Sequence, residues 1–196
     1  MPLSDPAPRD HLHTRNVTCT GYRRSDGLWD IEGHITDVKT YGFKNHDRGD
    51  IPAGEPIHQM WLRLTIDDHM VIQAVEAVTD HAPFAACNEI APNYEKLVGL
   101  KIGPGLKQQI RERVGGIDGC THLTELMGPV ATTAFQTIFP LRAKEAAEKQ
   151  RRAEEQGMAA PRKKRSPLVN SCHGWRSDGA AVKRIAPDSY TGPQDD

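Results

Sequence analysis

Residues 29–36 read Trp-Asp-Ile-Glu-Gly-His-Ile-Thr and contain the clearest strand pattern in the chain. The odd-numbered positions are apolar or glycine and the even-numbered positions are polar. This period of two predicts a β-strand with one buried face. Ser25-Asp26-Gly27, just before it, is typical of a tight turn, and segment 14–24 before that turn also has the pattern of a strand. Together these segments predict a β-hairpin.

A second hairpin is predicted further along the chain. Residues 59–66 alternate in the same way, residues 67–69 favour a turn, and residues 71–78 are rich in Val, Ile and Ala. Residues 42–57, between the two hairpins, are polar and read as a loop. Because hairpin strands are antiparallel, we expect one antiparallel sheet of about four strands.

The pattern changes from strand to helix after Asp80. Leu106, Ile110 and Val114 recur at helical spacing, and a longer apolar stripe follows, which predicts the strongest helix of the chain. The stripe consists of Leu123, Leu126, Met127, Val130, Ala134 and Ile138. The expected fold class is therefore α+β, with a sheet half followed by a helical half.

The composition divides the chain into three parts. Residues 1–142 hold the periodic apolar patterns and are expected to form the α+β core domain. Residues 143–166 are mostly Ala, Glu, Lys, Arg and Gln, which favours an exposed helical extension followed by a basic linker. Residues 167–196 regain some apolar character, so they form a C-terminal segment that can dock on the core.

Charge and cysteine content restrict the class of protein. Lys and Arg total 25 and Asp and Glu 26, so the net charge is -1 and nucleic acid is an unfavoured partner. No apolar run reaches the ~20 residues of a membrane span, and the first residues do not resemble an export signal. The four cysteines form no CxxC pair, so we expect reduced thiols in a cytoplasmic protein. A homo-oligomer is left open.

The main functional candidates are Cys120 and His122. They lie two residues apart in the run 119–123, at the start of the predicted long helix. A thiol there is close to the positive helix end and to unbonded N–H groups, which favour the reactive thiolate. Both residues are therefore candidate catalytic residues, and they could also supply two of the four ligands that zinc usually takes. The alternative is a small buried cysteine and a histidine that points to solvent.

A metal site needs further ligands, and strand ends offer them. His58 opens the third strand and Asp80 ends the fourth, so the predicted metal ligands are His58, Asp80, Cys120 and His122. Asp80 has a competing role as a helix cap. Secondary candidates are Cys87, Cys172 and His173, and each of these has a purely structural alternative. Four further carboxylates could form pairs for acid–base chemistry, but they are expected to be exposed and unperturbed: Asp26, Asp30, Glu32 and Asp37.

The residues of three segments resemble those of a bacterial family catalogued only as a domain of unknown function. These segments are 21–33 (Gly-Tyr-Arg-Arg-Ser-Asp-Gly-Leu-Trp-Asp-Ile-Glu-Gly), 119–123 (Gly-Cys-Thr-His-Leu) and 172–179 (Cys-His-Gly-Trp-Arg-Ser-Asp-Gly). The resemblance covers nearly the whole chain and implies no established activity. It implies an association with bacterial catabolism of aromatic or acyl-CoA compounds.

Residues 55–138 are also remotely similar to U-type iron–sulfur scaffold proteins. The likeness consists of a strand pair, a helix ending in Val-Gly-Leu-Lys-Ile and a cysteine that opens a long helix. It implies a scaffold-like core in which His58, Asp80 and Cys120 occupy the ligand positions. Two of the scaffold's cysteines are missing here, so a zinc or mononuclear iron site with mixed ligands fits better than a cluster.

Three functional hypotheses follow from these candidates. The first is a metal- or thiol-dependent bacterial enzyme that acts on a small organic substrate, with zinc or iron as the divalent metal. The second is a metal-handling or cluster-delivery accessory protein that would use the same ligands. The third is a non-catalytic module that binds a small molecule or a protein and in which Cys120 only packs. The sequence does not decide whether the protein is an enzyme.

Overall fold

The computed structural model describes residues 3–156, 166 and 168–193. Four long strands form the main sheet: β1 (His13–Arg23), β2 (Trp29–Lys39), β5 (Pro56–Ile66) and β6 (Ile72–His81). They are antiparallel and lie in the order β1-β2-β5-β6. The predicted α+β class and the sheet of two hairpins are confirmed.

The alternation along β2 determines which face of the sheet is buried. Its odd-numbered residues from Trp29 to Asp37 are buried, and the even-numbered residues between them are half-buried. Met60, Leu62 and Leu64 of β5 lie on the same face, because residues paired across strands point the same way. We call this the inner face, since the helices pack against it.

The segment predicted to be a polar loop contains a second, small sheet. β3 (Phe43–Asn45) pairs with β4 (Gly49–Ile51) in a two-stranded hairpin. Although the segment is polar overall, Ile51 is 1% exposed. One buried residue and a tight turn stabilise the hairpin, and the average polarity of the segment hides this signal.

The helical half begins with a run of 3-10 turns over Ala85–Leu97, which includes Pro92. Helix α1 (Leu106–Val114) and helix α2 (Thr121–Glu155) follow. All six residues of the predicted apolar stripe of α2 are buried, as the helical period requires. They join the inner face of the sheet in one core.

Helix α2 packs closely on the sheet because β2 has a glycine beneath it. A Cβ atom at Gly33 would lie 2.5 Å from Val130 Cγ2 and 3.0 Å from Leu126 Cγ. Any larger side chain would therefore push the helix away from the strand. This contact sets the distance between α2 and β2, and therefore also the distance of the N-terminal residues of α2 from the sheet.

The chain forms two compact units, Met1–Ala143 and Lys144–Asp196. Within the second unit, helix α3 (Ala180–Ile185) lies between two short 3-10 turns, His173–Trp175 and Pro187–Ser189. The predicted basic linker falls partly on residues 157–165, which are outside the described residues. None of the described helices has the length and apolar character needed to cross a membrane.

We expect Gly33→Ala to destabilise the fold by about 1–3 kcal/mol, the usual cost of overpacking a core. Gly128→Ala is the control on the facing helix, because a Cβ at this position of α2 would meet nothing within 4 Å apart from its chain neighbours. It should change the free energy of unfolding by less than about 1 kcal/mol, since the better helix propensity of alanine is offset by the contact of its Cβ with the following Pro129. Urea denaturation measures both. Equal stability of the two variants would contradict the close packing at Gly33.

Candidate functional site

Three polar side chains lie side by side on the inner face, near one end of the sheet. Asp37 of β2 is paired with Arg15 of β1 on one side and with His58 of β5 on the other. Directly paired residues in antiparallel strands have neighbouring side chains. The sheet register alone therefore brings a carboxylate, a guanidinium and an imidazole into one row.

The Asp37 carboxylate is the centre of this row, and its side chain is only 2% exposed. Arg15 donates two hydrogen bonds of 2.8 Å to it, one to each oxygen. His58 Nδ1 lies 3.0 Å from Asp37 Oδ2, and His13 Nε2 lies 3.1 Å from Oδ1. Burial opposes ionisation of Asp37, yet the hydrogen bonds and charge of Arg15 hold its pKa below the ordinary value.

A second imidazole comes from the first turn of α2. The His122 ring lies over the His58 ring, with centroids 3.7 Å apart, and its Nε2 is 3.9 Å from Asp37 Oδ2. The buried Tyr94 anchors this helix start: its hydroxyl donates to Cys120 O at 2.7 Å and accepts from Cys120 N–H at 3.1 Å. Tyr94 thereby fixes the position from which His122 reaches the sheet.

Both imidazoles are held in the neutral form near pH 7. Burial lowers the pKa of His58, and the neighbouring His122 lowers it further, although Asp37 acts in the opposite direction. Burial also lowers the pKa of His122, together with the positive charge of Arg15. Neutral imidazole is the form that binds a metal ion, because a ring nitrogen must offer its lone pair.

Asp37, His58 and His122 form a cluster that could hold a metal ion. Each offers one ligand atom, and the three atoms lie within 4.8 Å of one another. Among the residues that the structure describes, this is the group of three that comes together in this way. Two histidines and one carboxylate form a set that suits zinc or non-haem iron(II). Two of the sequence-predicted ligands, His58 and His122, are in it.

Asp80 does not come to this cluster. The register of β5 and β6 shifts between Gln59 and Met60, at the position of Asp80. Its carboxylate accepts a hydrogen bond of 2.8 Å from Trp61 Nε1, and the Trp61 ring stacks on His34. These partners lie on the outer face of the sheet, because His34 alternates with the buried Ile35. Asp80 and His58 therefore face opposite sides.

Cys120 directly precedes α2, as predicted, but is not part of the three-ligand group. Its Sγ lies 3.8 Å from Sδ of the buried Met60, so the thiol is half-buried against the core. It also lines a groove of about 710 Å³ between α1 and α2. Cys87 is half-buried at the edge of the core as well.

A smaller pocket of about 310 Å³ opens directly onto the cluster. His13, Arg15, Asp37 and His58 are among its lining residues. The groove beside Cys120 is larger, but it contains no histidine and no aspartate. The smaller pocket is therefore the one lined by the fixed carboxylate and by two of the histidines.

The expectation that Asp37 is exposed and unperturbed is wrong. Asp37 is 1% exposed, and its pKa is lowered. The signal was present in the sequence: the alternation from Trp29 to Ile35, extended by one more step, puts position 37 on the buried face. Arg15 and His13 were also missed, because their pairing with β2 depends on the register. Asp26, Asp30 and Glu32 are on or near the surface, but Asp26 is not unperturbed either, because hydrogen bonds from Arg24 hold its pKa below the ordinary value.

Cys172 and His173 belong to the second unit of the chain. Cys172 is exposed, and His173 begins a 3-10 turn. Within this unit, the backbone N–H of Ser177 donates to Asn170 Oδ1 and that of Thr191 donates to Ser177 O. These hydrogen bonds stabilise the segment that contains Cys172 and His173. A role for them in the site stays a prediction.

The fold and the cluster define an α+β protein with a buried aspartate–histidine site at one end of an antiparallel sheet. A family model, described as "Protein of unknown function (DUF2889)", matches residues 13–136, and the chain belongs to this family. The matched segment contains the whole cluster, from His13 to His122. No curated protein and no solved structure matches the chain.

We expect the metal-free protein to lose stability as the pH falls from about 6.5. The folded chain depresses the pKa of His58 and His122 below 6.5, so the unfolded chain binds protons first and acidification favours unfolding. At His122, Arg15 opposes protonation of the ring, whereas Asp37 and Glu125 favour it without reversing the lowered pKa.

Urea denaturation between pH 7.5 and 5 measures this dependence. The double variant His58→Asn with His122→Asn removes both titrating rings and should show a flatter profile. Equal pH profiles for the wild type and the double variant would contradict the assignment.

Proposed function

We propose that the protein binds one divalent metal ion, zinc or iron, through Asp37, His58 and His122. The observation that supports this is the meeting of three ligand atoms within 4.8 Å at a mostly buried position. The three residues come from β2, β5 and α2, so the folded chain already brings them together. Arg15 and His13 hydrogen-bond to the Asp37 carboxylate and so fix its orientation, as outer partners do in metal sites.

The metal ion would act on a small organic substrate in a cytoplasmic bacterial enzyme. Three protein ligands leave one position free on a tetrahedral zinc ion, and more on an octahedral iron ion. An ion with an open position can polarise a carbonyl group or activate a water molecule. The adjoining pocket of about 310 Å³ gives a small substrate access to the cluster. The association with aromatic or acyl-CoA catabolism is part of this proposal.

A metal ion in the cluster would compete with hydrogen bonds that the Asp37 carboxylate already accepts. Without metal, His58 Nδ1–H donates to Asp37 Oδ2, because the ionised carboxylate can only accept. An ion that takes the carboxylate oxygen competes with this hydrogen bond and with Arg15. If the proposal is right, removing His58 or His122 should lower the affinity for the metal ion more than removing a histidine on the surface.

The test is a titration of metal-free protein with Zn²⁺, and with Fe²⁺ under anaerobic conditions, against a chromophoric chelator. We expect one ion per chain. His58→Ala and His122→Ala should each weaken binding by at least about tenfold, as the loss of even outer partners does in other metal sites. His69→Ala is the matched control, because His69 is exposed in the turn between β5 and β6.

Wild-type affinity in the double variant His58→Ala with His122→Ala would overturn the proposal. Cys120→Ala in the same titration shows whether the nearby thiol adds a ligand. A metal-handling or cluster-delivery protein would bind the same ion but transfer it to an acceptor protein without turning over a substrate. A non-catalytic binding module would bind no stoichiometric metal.

Cys120 supports a second candidate function, a thiol-dependent enzyme. The observation that favours this candidate is the groove of about 710 Å³, which is lined by the half-buried Cys120 and by the N-terminal turn of α2. A thiol at a helix start is favoured as a nucleophile by the helix dipole. Confinement next to a groove of this size gives a small substrate room to bind.

Alkylation with iodoacetamide at pH 7, followed by peptide mass spectrometry, tests this candidate. Cys172 is an internal reference, because it is exposed and has no adjoining long helix. We expect Cys120 to react faster than Cys172 despite its burial. Slower alkylation of Cys120 would leave it a packing residue and exclude the thiol mechanism.

A further inference from the structure

The pocket in front of the cluster has a second row of side chains beyond Arg15, Asp37 and His58. The next inner-face pair along β1 and β2 is His13 with Lys39, which the sheet register places directly opposite each other. Both residues line the pocket. A molecule in contact with the cluster therefore also meets Lys39.

Lys39 has no carboxylate partner among the residues that the structure describes. Its Nζ donates to the Tyr41 hydroxyl at 3.2 Å and lies over the Tyr41 and Phe43 rings, 5.1 and 4.4 Å from their centroids. The side chain is half-buried. A partly buried ammonium group that contacts only a hydroxyl and ring faces is incompletely compensated.

The other charges of the pocket already have partners. Arg15 pairs with Asp37 and, through Nη1, with Glu125 at 2.7 Å. His13 and His58 are both engaged in hydrogen bonds with Asp37. The positive charge left for a ligand is therefore that of Lys39, which matches a single negative charge better than a phosphate dianion.

The remaining walls of the pocket are apolar or aromatic. Leu12 and Ile57 line it together with Tyr41, and the Leu12 side chain is exposed. The volume of about 310 Å³ is at the lower end of the range for small-molecule sites. A ligand that fits has one anionic group and a small apolar body.

From this geometry we infer that the pocket binds a small monocarboxylic acid, with Lys39 as the residue that binds its carboxylate. The apolar body lies against Leu12, Ile57 and the Tyr41 ring. This inference rests on the proposed function only in naming the substrate class of that site. Lys39 itself is not a metal ligand, so the two claims can fail separately.

Calorimetric or NMR titration with benzoate tests the inference, using benzamide as the uncharged molecule of the same shape. Both are titrated into metal-free protein and into protein saturated with Zn²⁺. We expect benzoate to bind at least tenfold more tightly than benzamide. Lys39→Met, which keeps the apolar stem, should reduce benzoate affinity at least tenfold, and Lys39→Arg should restore most of it.

Lys44→Met is the matched control, because Lys44 is an exposed lysine on the neighbouring strand β3. Unchanged benzoate binding in Lys39→Met, or equal binding of benzoate and benzamide, would overturn the inference. Tighter binding of inorganic phosphate than of benzoate would also overturn it. Benzoate binding by a protein that takes no metal would leave the carboxylate pocket standing and remove the metal proposal. Metal binding without benzoate binding would do the reverse.

Discussion

Burial of the Asp37 carboxylate is the constraint on which this end of the molecule depends. A charge that is 2% exposed must be compensated, since an unpaired buried charge costs several kcal/mol. Arg15 supplies the compensating charge from the adjacent strand, and His13 and His58 satisfy the remaining acceptor positions. The register of the three strands consequently determines which charged and polar groups surround Asp37.

The helix above the sheet completes this arrangement from the other side. Gly33 lets α2 approach β2, and the Tyr94 hydroxyl holds the backbone at Cys120, where the helix begins. His122 follows two residues later and so reaches the His58 ring. The approach of the helix to the sheet therefore determines the separation of the two imidazoles.

Much of the fold was predictable, because local periodicity reports which residues are buried. The two hairpins, the α+β class and the apolar stripe of α2 follow from patterns that extend over a few residues.

The site was only partly predictable. His58 and His122 were found as ligand-type residues at element ends, but Asp80 was grouped with them because a strand pattern does not locate a shift in register. Asp37 was overlooked because carboxylates are usually exposed, and its pairing with Arg15 spans two strands. Convergence of this kind is a property of tertiary structure.

The site is assembled from positions that are distant along the chain. Arg15 and Glu125, which form an ion pair, are separated by 110 positions. The first hairpin alone brings together Arg15 and Asp37, the second contributes His58, and His122 arrives only when α2 docks on the sheet. A partly folded chain accordingly lacks the complete cluster. A ligand of the proposed site would bind only the finished fold, and by mass action it would shift the folding equilibrium of the domain as a whole. Occupancy of the site would thus lower the fraction of chains that are unfolded, and with it their exposure to proteolysis.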